Sequence, residues 1–351
     1  VVELKIREGH VGGSDRADLI LALEAARKSR VVAYMTSDRQ PPFKALIAGD
    51  VVRPFFEHMQ GIGEVRKLDI LVFSLGGETI VPWRLVNLAR EYCDRLGVLV
   101  PYKAHSAATL LALGADEIVM GPLGELSPID PSIGGPFNPP HPDVPNEQKQ
   151  EVGVEDVAGF LNLAKERVGL SEQDALVRVF EKLAERLHPL ALGGVYRSHA
   201  LIRVLATKML ALHMRKKADQ QRIPQIVDDL AERLYYHGYL IGRHEAEELG
   251  LKVTRPNTEL ERLMWALFQS YERAMGLGSP FDPASFLAES GGKEQEVPVA
   301  IVESRDLVST VCKKIQVSQV SHQPQPGSGQ VPQFVLRERA SGWVTSRREG
   351  S

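Results

Sequence analysis

Two turns in the sequence combine small residues with a hydroxyl where an apolar run ends. The first is Ser74-Leu75-Gly76-Gly77-Glu78-Thr79, after the run LDILVF. A glycine pair at a strand end lets backbone amides face an anionic or polarised oxygen with no side chain in the way. The second is YKAHSAAT (102–109), between a VLV run and a stretch of small apolar residues. A serine at a strand-to-helix turn with small neighbours resembles a nucleophile elbow, here with alanines where the hydrolase motif has glycines. Each turn also has a plain structural reading. A glycine pair is commonly only a turn, and a serine at a helix start is commonly an N-cap. Cys93 and Cys312 lie far apart and form no CxxC pair. They give no disulfide framework and no zinc signature, and buried or incidental thiols are expected. No metal or organic cofactor is implied, and there is no dinucleotide fingerprint.

The elements that must carry these turns read as alternating strands and helices. Helices are expected over 14–30, 47–59, 81–96 and 107–113, and strands over 31–36, 68–74, 98–101 and 117–120. This alternation implies a mainly parallel sheet covered by helices, and the near-continuous apolar strands fit burial on both faces. A turn-rich stretch follows from 121 to 145. Helical patterns over 154–166, 171–186, 197–215 and 226–234 then read as a helical insertion. Further helices are expected over 244–250 and 258–275 and a strand over 297–302. Residues 318–351 are rich in Ser, Gln, Pro and Gly and read as mobile. The expected plan is a lead-in helix (1–30), a main domain (31–255) with its insertion at about 146–234, a helical extension (256–303) and a flexible tail (304–351).

Composition narrows the function classes. The chain has 351 residues, 42 Lys+Arg against 45 Asp+Glu, 43% hydrophobic and 25% charged residues. That balance excludes a mostly disordered or collagen-like chain. A net charge of −3 gives no general reason to bind nucleic acid or anionic lipid. No run approaches the length of a membrane helix. The opening VVELKIREGH has no basic region leading into an apolar stretch, so no signal peptide is expected. A cytoplasmic protein is expected, with membrane association through a segment upstream of Val1 as the alternative.

Four collinear motifs, FSLGGET, KAHSAATLLALGADEIVMG, GELSPIDPSIGG and YYHGYLIGRHEAEELGL, resemble the superfamily of the Clp protease proteolytic subunit and signal peptide peptidase A. The resemblance is closer to its serine dehydrogenase proteinase branch and covers about 31–253. It implies an α/β Clp- or crotonase-like spiral of ββα units, here with a helical insertion and a mobile C-terminal tail. By the same resemblance Ser106 matches the nucleophile. The amides of Ala107 and of the Gly76-Gly77 turn match the oxyanion hole, where two donors can contribute a few kcal/mol. The helix after Ser106 adds positive partial charge at that point. Asp130 stands where Clp peptidases carry their histidine, and His237 where they carry their aspartate. The resulting order Ser106, Asp130, His237 is the one described for the closer branch. It implies an ATP-independent serine peptidase with His237 as general base and Asp130 orienting it. Asp130 in I-D-P-S also has a plain turn reading. The competing bases are His199, folding back from the insertion, and Lys165 in a Ser-Lys dyad. His105 reads as packing or substrate contact, Lys103 as a surface or substrate-binding charge, His213 as structural, and His244 as a helix cap. A peptide or protein substrate and a homo-oligomer are expected. A crotonase-like acyl-CoA-binding enzyme and a non-catalytic peptide-binding or scaffold protein are the alternatives.

Overall fold

The computed structural model describes residues 13–130, 132–140, 149–150, 152–233, 238–320 and 333–348. In chain order the elements begin with α1 (Gly13–Arg27), β1 (Arg30–Thr36), α2 (Val52–Ile62), β2 (Val65–Phe73), α3 (Val81–Arg90) and β3 (Cys93–Val100). Next come the short β4 (Lys103–Ala104), α4 (Ala107–Leu113), β5 (Glu117–Met120) and β6 (Glu125–Leu126), then β7 (Ser132–Ile133) and β8 (Val152–Gly153). The helical block is α5 (Val154–Asn162), α6 (Gln173–Arg186), α7 (Pro189–Ala211) and α8 (Lys217–Asp228). The chain returns through β9 (Ile241–Gly242), α9 (Arg243–Glu248), β10 (Val253–Thr254), α10 (Thr258–Met275) and α11 (Pro283–Ser290). It closes with β11 (Gln295–Glu303), β12 (Leu307–Val320), β13 (Gln333–Ala340) and β14 (Val344–Arg347).

The main sheet is mixed, in the order β10-β5-β3-β2-β1-β11-β12-β13, with β14 also on β12. From β10 to β1 the strands are parallel. From β1 through β11 onward they are antiparallel. Side chains alternate between two buried faces, as a pleated strand requires. Val32, Tyr34, Ile70, Val72, Val98 and Val100 meet α2, α3, α4 and α7 on one face. Val31, Ala33, Met35, Leu71, Phe73 and Leu99 meet α1 and α10 on the other. The protein is therefore a mixed α/β structure with helices on both faces of its sheet.

Two sequence expectations are corrected. The helix expected over 81–96 stops at Arg90, because Cys93 already pairs with Val65 and the whole of CDRLGVLV joins the sheet beside β2. Apolar spacing permitted a longer helix, and sheet pairing overrode it. The tail expected to be mobile from 304 is strand over Leu307–Val320, Gln333–Ala340 and Val344–Arg347. Its polar composition hid an alternation that buries Leu307, Ser309, Ile315 and Val317. A helix at Pro283–Ser290, within the expected helical extension, packs Phe286 and Leu287 over those strands. No helix among the described residues is long and apolar enough to cross a membrane.

A small sheet off the main one, β4-β6-β9, positions the candidate site. Ala104 pairs with Leu126 in parallel, and Leu126 pairs with Ile241 antiparallel. The chain therefore leaves β4 toward Ser106 and β6 toward Asp130 on the same side from which it enters β9.

Candidate active site

The glycine turn and the serine turn are held edge to edge by backbone pairing. The Ser74 amide donates to the Lys103 carbonyl and the His105 amide to the Ser74 carbonyl, each at 3.0 Å. Ser74 Oγ accepts from Thr36 Oγ1 (2.7 Å) and from the Gly76 amide (3.0 Å). On its other side the turn pairs with Ile47, whose amide donates to Gly76 O (2.7 Å) and whose carbonyl accepts from Glu78 N (2.8 Å). In a parallel bridge of this kind the Gly77 amide points away from Ile47. Among the described residues it has no acceptor.

Only glycine fits the turn. Gly76 has φ +105°, and a Cβ there would sit 2.7 Å from Ser106 Cβ and 3.1 Å from the Ala107 amide nitrogen. Gly77 has φ +150°, and a Cβ there would sit 2.0 Å from the Ile47 carbonyl oxygen.

Ser106 lies at φ +50°, ψ −112°, at the N-cap position of α4. A non-glycine residue there costs on the order of 1–3 kcal/mol. Its side chain makes no capping hydrogen bond, so the N-cap reading of this serine does not hold. α4 is buried along its whole length. Its first amide, that of Ala107, has no acceptor among the described residues and lies against Gly76. Two unused amides thus flank Gly76 beside the Ser106 side chain.

The serine's own amide is committed elsewhere. It donates to Ser127 Oγ (2.8 Å). Ser127 Oγ donates to the Pro128 carbonyl (2.9 Å), and the Ser127 amide donates to Thr109 Oγ1 (3.0 Å). Thr109 Oγ1 in turn donates to the Ala104 carbonyl (2.7 Å). Neither Ser127 nor Thr109 emerged from the sequence. A signal for Thr109 existed, since a lone hydroxyl inside the apolar helix AATLLAL needs a buried partner. Ser127 carried none, because its contact is 21 residues away along the chain.

Asp130 is buried, at 4% exposure. The segment carrying it is tied to the helical block, where the Ile129 amide donates to the Leu230 carbonyl (3.0 Å). His237 lies outside the described residues.

His105 Nε2 lies 3.1 Å from Glu125 Oε1. Burial raises the Glu125 carboxyl above its usual range, with Lys103 opposing. Lys103 pairs with Asp38 at 2.8 Å. Burial works against its charge, but the Asp38 ion pair outweighs it and raises its pKa, so it is a charged group and not a neutral base. Lys165 is exposed on the π-helical turn Leu163–Arg167, without the burial a lysine base needs. His199 on α7 pairs with Glu232 at 3.0 Å. His213 bonds the Leu113 carbonyl (3.0 Å), at the end of α4 away from Ser106, and burial lowers its pKa. His244 does not cap α9. Gly242 holds that position, and His244 pairs with Glu248 within the helix. Cys93 and Cys312 are free, half-buried thiols, and burial pushes the Cys93 thiol up to about 11.

Two proteins of Methanocaldococcus jannaschii resemble the chain, the uncharacterized proteins MJ0137 and MJ1495. MJ0137 is 22% identical over 208 residues, 59% of this chain and 59% of that protein. MJ1495 is 22% identical over 209 residues, 60% and 58% respectively. The chain thus spans less than two thirds of the length of either relative. No protein-family model matches it.

Proposed function

We propose that this chain is a serine hydrolase acting through Ser106, and within that class an ATP-independent peptidase of the Clp-like kind. The observation that carries the reading is Ser106 itself, a strained, non-capping serine flanked by the unused amides of Gly77 and Ala107. The small β4-β6-β9 sheet set off the main one supports the finer reading of the fold as a spiral of ββα units.

In this mechanism Ser106 Oγ attacks the scissile carbonyl and its proton passes to the His237 imidazole, with Asp130 on the other ring nitrogen. The Gly77 and Ala107 amides hold the developing oxyanion. Collapse breaks the C–N bond, and the amine leaves with the proton from His237. Water, deprotonated by the same imidazole, then hydrolyses the acyl-Ser106 ester. The reading includes self-association. Phe180 on α6 and Tyr196 on α7 are 50% and 74% exposed, and α6 buries no residue within the chain. Apolar surface of this kind is typical of interfaces.

A fluorophosphonate probe tests the nucleophile. Labelling is expected at Ser106, located by mass spectrometry, and Ser106→Ala should abolish both labelling and peptide hydrolysis. His237→Ala should lower kcat by about 10³-fold or more. Equal labelling of Ser106→Ala and the unsubstituted protein rules the assignment out.

A further inference from the structure

We propose that Ser127, backed by Thr109, is the positioning residue that holds the Ser106 backbone in its reactive conformation; this rests on the reading of Ser106 as the nucleophile. The hydrogen bonds described above form a closed brace. Ala104 at the end of β4 accepts from Thr109 in the first turns of α4, Thr109 accepts from the Ser127 amide just past β6, and Ser127 Oγ accepts from Ser106. Three segments are thereby locked around one residue whose backbone is at φ +50°. Ser127 is 2% exposed and Thr109 is fully buried, so water cannot replace either hydroxyl without opening the turn.

The brace has a chemical consequence. The Ser106 amide is turned inward and removed from the set of possible oxyanion donors, which leaves the amides of Gly77 and Ala107. Releasing it lets φ of Ser106 relax toward an ordinary negative value. That rotation swings Oγ and the Ala107 amide away from Gly77, and misplacement on the scale of an ångström costs about 100-fold in rate. Ser127 also lies three residues before Asp130, so the segment tied to the Ser106 amide is the one that carries the proposed orienting carboxylate.

Three variants test the role: Ser127→Ala, Thr109→Val and Thr109→Ser. The readouts are the fluorophosphonate labelling rate, kcat and KM for a peptide, and deuterium exchange of the segment containing the Ser106 amide. Ser127→Ala is expected to slow labelling and lower kcat by about 10- to 100-fold, with KM within about twofold, and to speed exchange at Ser106 by about tenfold. Thr109→Val should act in the same direction, and Thr109→Ser, which keeps the hydroxyl, should recover most of the rate. If Ser127→Ala does not fold, the Thr109 pair decides the matter through the same readouts. A labelled unsubstituted protein whose Ser127→Ala form, or Thr109→Val form, labels at the same rate with the Ser106 amide still protected overturns the positioning role alone. An unsubstituted protein that takes no label at Ser106 overturns the hydrolase reading and this role with it.

Discussion

At the scale of the residue, Gly77 answers to a backbone and not to a ligand. A Cβ there would lie 2.0 Å from the Ile47 carbonyl oxygen and 2.6 Å from its amide nitrogen, and main chain cannot yield as a flexible side chain can. Gly77→Ala must therefore break the bridge to Ile47 and displace the turn beside Ser106. The expected result is a loss of about 2–4 kcal/mol in urea unfolding, with fluorophosphonate labelling slowed more than about tenfold. Gly134 is the control, since a Cβ there meets nothing within 4 Å, and Gly134→Ala should stay within about 0.5 kcal/mol. A Gly77→Ala protein as stable as the original would show that the turn can move. Residue types alone offered Gly76, Gly77 and Ser106 as candidates with plain turn and N-cap readings beside them, and only the four collinear motifs raised them above those readings. They could not distinguish an N-cap from a strained elbow, since that rests on a φ of +50° and an unused side chain. Nor could they reveal Ser127, whose role depends on two short strands lying side by side.

At the scale of the element, the ends of the strands remote from Ser106 are clamped by charge. Arg27, in the last turn of α1, donates to both carboxylate oxygens of Asp69 on β2 (2.9 and 3.0 Å) and pairs with Glu117 on β5, which Lys67 also approaches at 2.9 Å. Gly97 on β3 leaves the room for this, as a Cβ there would lie 2.0 Å from Asp69 Oδ1. Burial disfavours the charged Glu117 carboxylate, but hydrogen bonds from Lys67 and Arg27 outweigh it and hold the carboxyl at about 2. Because the folded value lies below the ordinary 4.5, the stabilisation is complete above about pH 4.5 and is lost as pH falls toward 2. It amounts to about 2 kcal/mol after allowance for partial exposure. Urea midpoints at pH 6, 4 and 3 should fall less steeply for Glu117→Gln than for the original chain, and parallel slopes would refute the clamp. The strands of this clamp were legible as apolar runs, whereas its pairing was not, because 42 and 90 residues separate Arg27 from its partners. The helix from Val81 was legible in kind but not in length, since only the partner strand decides where sheet begins.

At the scale of the whole molecule, the C-terminal strands are tied into the helical layer of the parallel half through one buried histidine. His58 on α2 bonds Ser304 Oγ through Nδ1 (2.8 Å) and Ser309 Oγ through Nε2 (3.1 Å). Ser309 Oγ continues to Thr345 on β14 (2.8 Å), and Thr345 donates to Glu57 beside the histidine (3.1 Å). The ring is fully buried, and burial pushes its pKa from 6.5 down to about 4, against a smaller opposing pull from Glu57. An unfolded chain takes up this proton as pH falls through 6.5, while the folded chain refuses it until about 4. Stability is therefore lost across that window, by about 3 kcal/mol at its lower end, most of it above the range, below about pH 4.5, in which the Glu117 clamp weakens. Acid unfolding should thus proceed in two ranges, with the first belonging to the junction of α2, β12 and β14. His58→Gln keeps hydrogen-bonding capacity without a titrating group, so it should flatten the urea midpoint between pH 6.5 and 4 and leave the lower range unchanged. If the variant keeps the slope of the original chain in the upper range, the titration of this histidine is not what weakens the fold there.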